Sequence, residues 1–256
     1  MTEPASKPDS SGDAACVRLP WDSEFFGVTV GRVSAQQLDP EGARAVRDWA
    51  RANAVRCVYF LNEPPADSSI AAAKDVGFQE IDERVELELA LEASAPGVHE
   101  AEDRVGPATA DEERTLAAMA RELHVDSRFF EDPNIPDDRA RELYARWVEN
   151  SFRSSSDEVL VARVDGQPAG YVACQMEAGD TGRIGLIGVA GRAQGAGLGT
   201  ALVRASIAWF RARGARRVLV VTQGRNEAAL RLYTRSGFSP HTRGIWLHLW
   251  ALEARD

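Results

Sequence analysis

Several familiar kinds of site are excluded by what this chain has little of. It carries 3 cysteines in 256 residues, Cys16, Cys57 and Cys174. They lack metal-ligand spacing and are too scattered for a disulfide framework, so a reducing cytoplasm is the expected setting. No apolar run approaches the roughly 18 residues of a membrane span. The stretch 1–16 is rich in Ser, Asp and Pro, lacks the apolar segment of a secretion signal, and reads as a disordered tail. Basic charge is short as well: the net charge is −9 at pH 7, which argues against broad nucleic-acid binding. An anionic ligand would therefore be held by local dipoles and a few arginines, not by the field of the whole chain. No metal site is expected, and neither a membrane nor a nucleic acid as partner.

What remains is a globular chain, with 44% hydrophobic and 27% charged residues, long enough for one large domain or two small ones. The aromatic string Trp21-Asp22-Ser23-Glu24-Phe25-Phe26-Gly27 leads into a strand, Val28 to Val33. Pro40 opens a helical stretch with Ala43, Val46, Trp49 and Ala50. Arg56 to Leu61 reads as a buried strand, Ser68 to Val76 as a helix stopped at Gly77, and Val85 to Leu89 as a half-exposed strand. This β-α-β-α-β order favours an α/β sheet. The expected organisation is an N-terminal α/β domain over 17–92, a linker over 93–104, and a second domain over 105–256.

In the second domain, helices are expected near Asp111 to Leu123 and from Pro136 onward, the latter with Leu143 and Trp147 on one face. The aromatic and charged loop from Asp126 to Ile135 joins them. Val159 to Val164 and Gly170 to Gln175 flank Asp165-Gly166, a hairpin signal with a loop longer than two residues. Arg183 to Val189 is a third strand and Val218 to Thr222 a buried one. Asn226 caps a short helix that ends at Ser236-Gly237, and Ile245 to Trp250 closes the sheet. The strand, helix, Gly-Phe, strand order over Cys57–Leu89 repeats weakly over Val218–Trp250, which suggests two related halves.

The most informative stretch runs from Leu186 to Thr200. A short apolar run ends a strand, a glycine-rich turn follows, and Leu198, Leu202, Ala205 and Trp209 mark one helical face. Gly214 stands where a left-handed cap is wanted. Glycines between a strand and a helix start present unpaired N–H groups and a favourable dipole to an anion. The reading is a pyrophosphate cradle. It lacks the Lys of a Walker loop, and Thr200 stands where the dinucleotide fingerprint wants its third glycine.

What fits is Gln194-x-x-Gly197-x-Gly199, which resembles the acyl-CoA signature of the GNAT superfamily of N-acyltransferases. A second motif agrees: Asn226, Ala229, Tyr233, Gly237 and Phe238 match the family's Asn-x-x-Ala-x-x-x-Tyr-x-x-x-Gly-Phe segment. Asn226 and Tyr233 lie seven residues apart, two turns, and so share a helix face, roughly 10 Å apart along the axis. The resemblance covers Val159 to Trp250. It implies a mixed, mostly antiparallel sheet flanked by helices, acetyl-CoA as cofactor, and a small-molecule amine as acceptor. It further implies that Gln194, Gly195, Ala196, Gly197, Leu198, Gly199 and Thr200 hold the pyrophosphate. The backbone of Ile187 and Val189 would meet the pantetheine and the thioester oxygen, Asn226 and Ala229 the cofactor, and Tyr233 would be the general acid. Ala190-Gly191 stands where the family often has a proline.

The strings Trp21 to Gly27, Asp126 to Phe130 with Asp132-Pro133 and Ile135-Pro136, and Tyr144 to Ser151 are similar to the TDP-fucosamine acetyltransferase family. That family acetylates the 4-amino group of dTDP-4-amino-4,6-dideoxygalactose and has a truncated N-terminal α/β half. On this reading Arg128 pairs with a sugar-nucleotide phosphate and Phe129 stacks on a base, with a pinned loop as the plainer alternative. Glu177, Asp180 and His124 are general-base candidates by residue type, with a water chain as their equal. His99, His241 and His248 have no nameable partner. Acetylation of another small amine or of a protein amine stays open, as does a non-catalytic acyl-CoA sensor. So does a homodimer.

Overall fold

In a computed structural model, which describes residues 16–91, 104–155, 157–177 and 179–250, strands and helices alternate through the first half. The first half contains β1 (Cys16–Arg18), α1 (Pro20–Phe26), β2 (Val30–Val33), α2 (Pro40–Ala52), β3 (Cys57–Asn62), α3 (Asp67–Asp75) and β4 (Gln79–Ala90). Then come β5 (Val105–Pro107), α4 (Glu113–Leu123), α5 (Arg128–Glu131), α6 (Asp137–Arg153), β6 (Asp157–Val164), β7 (Gln167–Met176) and β8 (Thr181–Val189). The chain continues through α7 (Leu198–Ala212), β9 (Arg217–Gln223), α8 (Glu227–Arg235) and β10 (Ser239–Trp250). The tail and most of the linker expected from the sequence lie outside the described residues, except that Cys16 already stands in β1.

Local chemistry accounts for most boundaries. Asp39 caps α2 by accepting from the Gly42 amide, with Pro40 in the first turn and Ala43, Val46 and Ala50 buried on one face. Gly214 takes φ +79° after α7, as a left-handed cap requires. One expectation is corrected. The β6–β7 loop is two residues, because Asp165 (φ 51°) and Gly166 (φ 74°) both adopt the left-handed conformations of a tight hairpin turn. The aromatic string around Trp21 folds as α1, with Pro20 at its start and left-handed Gly27 at its end. Seven residues are too few to show a helical period.

The chain divides into two units, and neither is contiguous. The first comprises 86–126 and 137–241. Its strands run in the order β4, β9, β8, β7, β6, β5. β5–β6, β6–β7 and β7–β8 pair antiparallel, and β8–β9 parallel. This is the mixed, mostly antiparallel sheet that was expected. Among the described residues the second unit comprises 16–85, 127–136 and 242–250. Its order is β1, β2, β3, β10, β4, with β1–β2 antiparallel, β2–β3 parallel and β3–β10 antiparallel from Cys57↔Trp250 to Asn62↔Ile245. Its core gathers Val46, Val58, Phe60, Phe78, Leu247 and Leu249. The linear boundaries expected at 92 and 105 are therefore crossed by the last strand. Strand pairing is non-local and leaves no mark of its own in composition.

The internal repeat is regular. Cys57 and Arg217, Asp67 and Glu227, and Gln79 and Ser239 open corresponding elements, each pair 160 residues apart. Phe78 N–H donates to the Ala73 carbonyl at 3.1 Å, as Phe238 N–H does to that of Tyr233 at 3.0 Å. A Cβ on Gly77 would meet Leu249 at 3.4 Å and one on Gly237 would meet Leu89 at 3.4 Å, so the final strands of the halves are exchanged. In the first half, buried Asn62 donates to the Gln36 carbonyl (3.1 Å) and to Ser69 Oγ (3.0 Å), while its own Oδ1 accepts from the Ala66 amide (2.8 Å). These bonds tie the segment leaving β2 to the end of β3.

Candidate active site

β8 and β9 pair only at their beginnings, Thr181 to Ile184 against Arg217 to Val220. Past that point the β7–β8 register shifts: Cys174 faces Ile184 but Ala173 faces Leu186, which leaves Gly185 as an extra residue. A bulge bends its strand and sharpens the twist, so β8 and β9 part. A cleft opens between them. Leu186 and Ile187 line one side, Thr222 and Gln223 the other, and Asn226, Ala229 and Tyr233 of the α8 segment close the end.

The glycine turn lies farther along β8. Gly195 (φ +78°) and Gly197 (φ +80°) are both left-handed, a conformation that disfavours any side chain. Gly197 caps α7, whose first turn holds no acidic residue. Among the described residues the backbone N–H groups from Gly195 to Thr200 have no partner, and the first helical bond is Ala201 N–H to Gly197 O at 3.0 Å. Six consecutive free donors at a helix start fit a diphosphate. The Gln194 side chain donates to the Val189 carbonyl at 3.2 Å and so anchors the turn to β8. Neither Val189 nor the turn lines the cleft itself.

Asn226 Oδ1 accepts from the Ala229 amide at 3.0 Å, which makes it the helix cap and leaves its Nδ2 for a ligand. Tyr233 is 3% exposed, its ring 5.7 Å from that of Phe238. Its hydroxyl has no protein partner among the described residues, yet it is not one of the sealed, unsatisfied polar atoms. Burial pushes the phenol well above its usual pKa, so it stays protonated.

Comparison with known proteins decides what this arrangement is. Residues 117–238 match the model of the Acetyltransferase (GNAT) family. A dTDP-fucosamine acetyltransferase of Escherichia coli O6:H1 is 30% identical over 237 residues, 90% of this chain and 96% of that protein. The chain belongs to the GNAT family. It is therefore an acetyltransferase, and GNAT acetyltransferases in general use acetyl-CoA. A mycothiol acetyltransferase of Amycolatopsis mediterranei is 32% identical over 119 residues, 43% of this chain and 37% of that one. The fold is shared with a GCN5-related N-acetyltransferase from Sphaerobacter thermophilus at TM-score 0.60 and 17% identity, over 93% of this chain and 78% of that one.

The GNAT cleft is also lined by His124 and Asp126, just past α4, and by Tyr144 of α6. His124 Nε2 is 2.7 Å from the Tyr171 hydroxyl, and its ring stacks on Tyr144 at 4.9 Å and 15°. Burial lowers its imidazole to about 4, so it is neutral at physiological pH and a weak proton acceptor. The sequence singles out the strings that hold Asp126 and Tyr144. No spacing rule, however, links a loop carboxylate to a helix phenol, so their convergence on one cleft is not readable there.

Other expectations fall elsewhere. Glu177 is paired with Arg183, which also binds Glu86 at 3.0 Å, and Asp180 faces Arg216 at 3.5 Å. Neither lines the cleft. Arg128 and Phe129 belong to the second unit and do not line the cleft. Phe129 is 2% exposed and packs on Phe26 and Tyr59. The Arg128 guanidinium lies 4.3, 4.1 and 4.2 Å from the ring centres of Tyr59, Phe129 and Trp246. It donates to His248 Nε2 at 2.9 Å, which obliges His248 to donate from Nδ1 to Asp132 Oδ2 at 2.6 Å. Trp250 donates to the same oxygen at 2.7 Å. The pinned-loop reading is the one that fits. His248 thus has partners, His241 sits 3.1 Å from Glu88, and His99 lies outside the described residues.

Proposed function

We propose that this chain transfers the acetyl group of acetyl-CoA to the amino group of a nucleotide-linked amino sugar, such as dTDP-4-amino-4,6-dideoxy-D-galactose, by direct attack in a ternary complex in the cytoplasm. Acetyl-CoA supplies the acyl group as an activated thioester. The observation that carries the chemistry is the uncommitted, protonated Tyr233 hydroxyl at the parting of β8 and β9. The amides of Gly195 to Thr200 hold the diphosphate with the Gln194 side chain bracing the turn, and the backbone of Ile187 and Val189 pairs with the pantetheine. Asn226 Nδ2 and the Ala229 segment orient the thioester end.

As the amine nitrogen bonds to the carbonyl carbon and the C–S bond breaks, Tyr233 gives its proton to the departing sulfur. The amine loses one proton to water and, at the end, Tyr233 is reprotonated from water, so protons balance. Likeness over nearly the whole of a dTDP-fucosamine acetyltransferase supports the choice of acceptor. The test is release of free thiol from acetyl-CoA against a panel of nucleotide amino sugars, aminoglycoside-type amines and peptides. Turnover confined to peptides would replace the acceptor class. No turnover with tight acetyl-CoA binding would favour a sensor.

A further inference from the structure

Tyr171 is wholly buried, and its one polar partner among the described residues is Nε2 of His124, at 2.7 Å. Burial holds the phenol protonated. If His124 donated to the phenol oxygen, the Tyr171 O–H would be a buried donor with no acceptor. Tyr171 therefore donates and His124 Nε2 accepts. A neutral imidazole that accepts at Nε2 carries its hydrogen on Nδ1. The Tyr144 ring stacked at 4.9 Å fixes the plane of the imidazole, and Nδ1 has no partner among the described residues. His124 lines the same cleft as Tyr233 and Asn226.

We propose that His124 orients the acceptor: locked as its Nδ1–H tautomer by Tyr171 and in plane by Tyr144, it donates a hydrogen bond from Nδ1 to an oxygen that the acceptor carries near its amine. This deepens the amine-acetylation reading and rests on it. It makes His124 a positioning residue. A general base needs a lone pair on the nitrogen that faces the substrate, and Nδ1–H offers none. The acceptor class narrows to amines bearing a neighbouring hydroxyl or carbonyl, and simple alkylamines should be poor substrates.

The tautomer is read directly by imidazole nitrogen NMR on the full chain. Wild type should show a protonated Nδ1 and a bare Nε2 at His124, and Tyr171→Phe should restore the Nε2–H form that free neutral histidine favours. In kinetics, His124→Asn keeps an amide donor near the Nδ1 position, whereas His124→Gln places its amide near Nε2. His124→Gln should raise KM for a hydroxyl-bearing amine about tenfold, the worth of one hydrogen bond, with kcat within about threefold. It should also lose discrimination against the matching amine without the hydroxyl. His124→Asn should bring KM back to within about threefold of wild type. An Nε2–H signal in wild type overturns the proposal whatever the activity. Equal KM for the two variants, or a loss in kcat instead of KM, overturns the orienting role. Failure to acetylate any amine overturns the functional reading, and the acceptor role with it; acetyl-CoA binding by calorimetry separates that case from a misfolded variant.

Discussion

Tyr233→Phe isolates one oxygen atom. The ring is 3% exposed and packs against Phe238, and its hydroxyl has no partner among the described residues. The phenylalanine ring fills the same space and breaks no protein hydrogen bond, so stability should change by no more than about 0.5 kcal/mol. Acetyl-CoA affinity should be equally little affected, because the diphosphate is held by backbone amides on another element. The chemical step is different. Loss of a positioned proton donor costs about 10²–10⁴-fold, which is roughly 2.7–5.4 kcal/mol of barrier. Rapid-quench single turnover with a saturating acceptor reads that step without product release. The pH dependence adds a check. Burial raises the Tyr233 pKa above the ordinary 10.0, so its acid form persists past that value, and the rate should show no fall from Tyr233 ionisation below pH 10. A chemical step within twofold of wild type would mean that Tyr233 only packs and that water protonates the thiolate.

Four further outcomes are expected. Gly197→Val forces a branched residue into φ +80°, where even an unbranched residue costs about 1–2 kcal/mol; acetyl-CoA binding by calorimetry should vanish in a folded variant, while Gly191→Ala, with ordinary φ and open space around its Cβ, should bind normally. Acetyl-CoA should bind once per chain, since Asn62 ties off the corresponding gap in the first half, and a stoichiometry of two would refute this. Asp132→Ala strands the His248, Trp250 and Asn134 donors and should cost about 3 kcal/mol in urea unfolding, with less than 1 counting against the network. Burial alone would raise the Asp132 carboxyl, but the bonds from His248, Trp250 and Asn134 outweigh it and hold it near about 2. Burial lowers His248 to about 4, against its donation to Asp132. A histidine depressed in the folded state stabilises above its unfolded value of 6.5, and that stability is lost as pH falls toward 4. The melting temperature should therefore drop over that window, and a flat profile would refute it.

What the sequence makes legible is local. The glycine turn and the Asn226–Tyr233 helix are short patterns of adjacent residues, so both elements are recognisable without a fold. The Gly185 bulge that parts the strands has no such signature, because it depends on which β7 residue faces which β8 residue. Likewise Arg128, Asp132 and His248 meet only because β10 pairs with β3. The repeat lies between these cases, since its Gly-Phe marks are visible but its exchange of final strands is not. It also bears on why the candidate site lies in one half. At the repeat's 160-residue offset, Thr222, Asn226, Ala229 and Tyr233 correspond to Asn62, Ala66, Ser69 and Ala73. In the first half, Asn62 and Ser69 spend their polar atoms on Gln36, Leu38 and Ala66. In the second half, Thr222, Asn226, Ala229 and Tyr233 all line the cleft, and Asn226 and Tyr233 bring polar atoms to it. The bulge at Gly185 parts the strands of the second copy and these side chains line the cleft there, whereas in the first copy Asn62 and Ser69 bond to each other and to nearby backbone; the copy with the cleft is the one that follows the glycine turn.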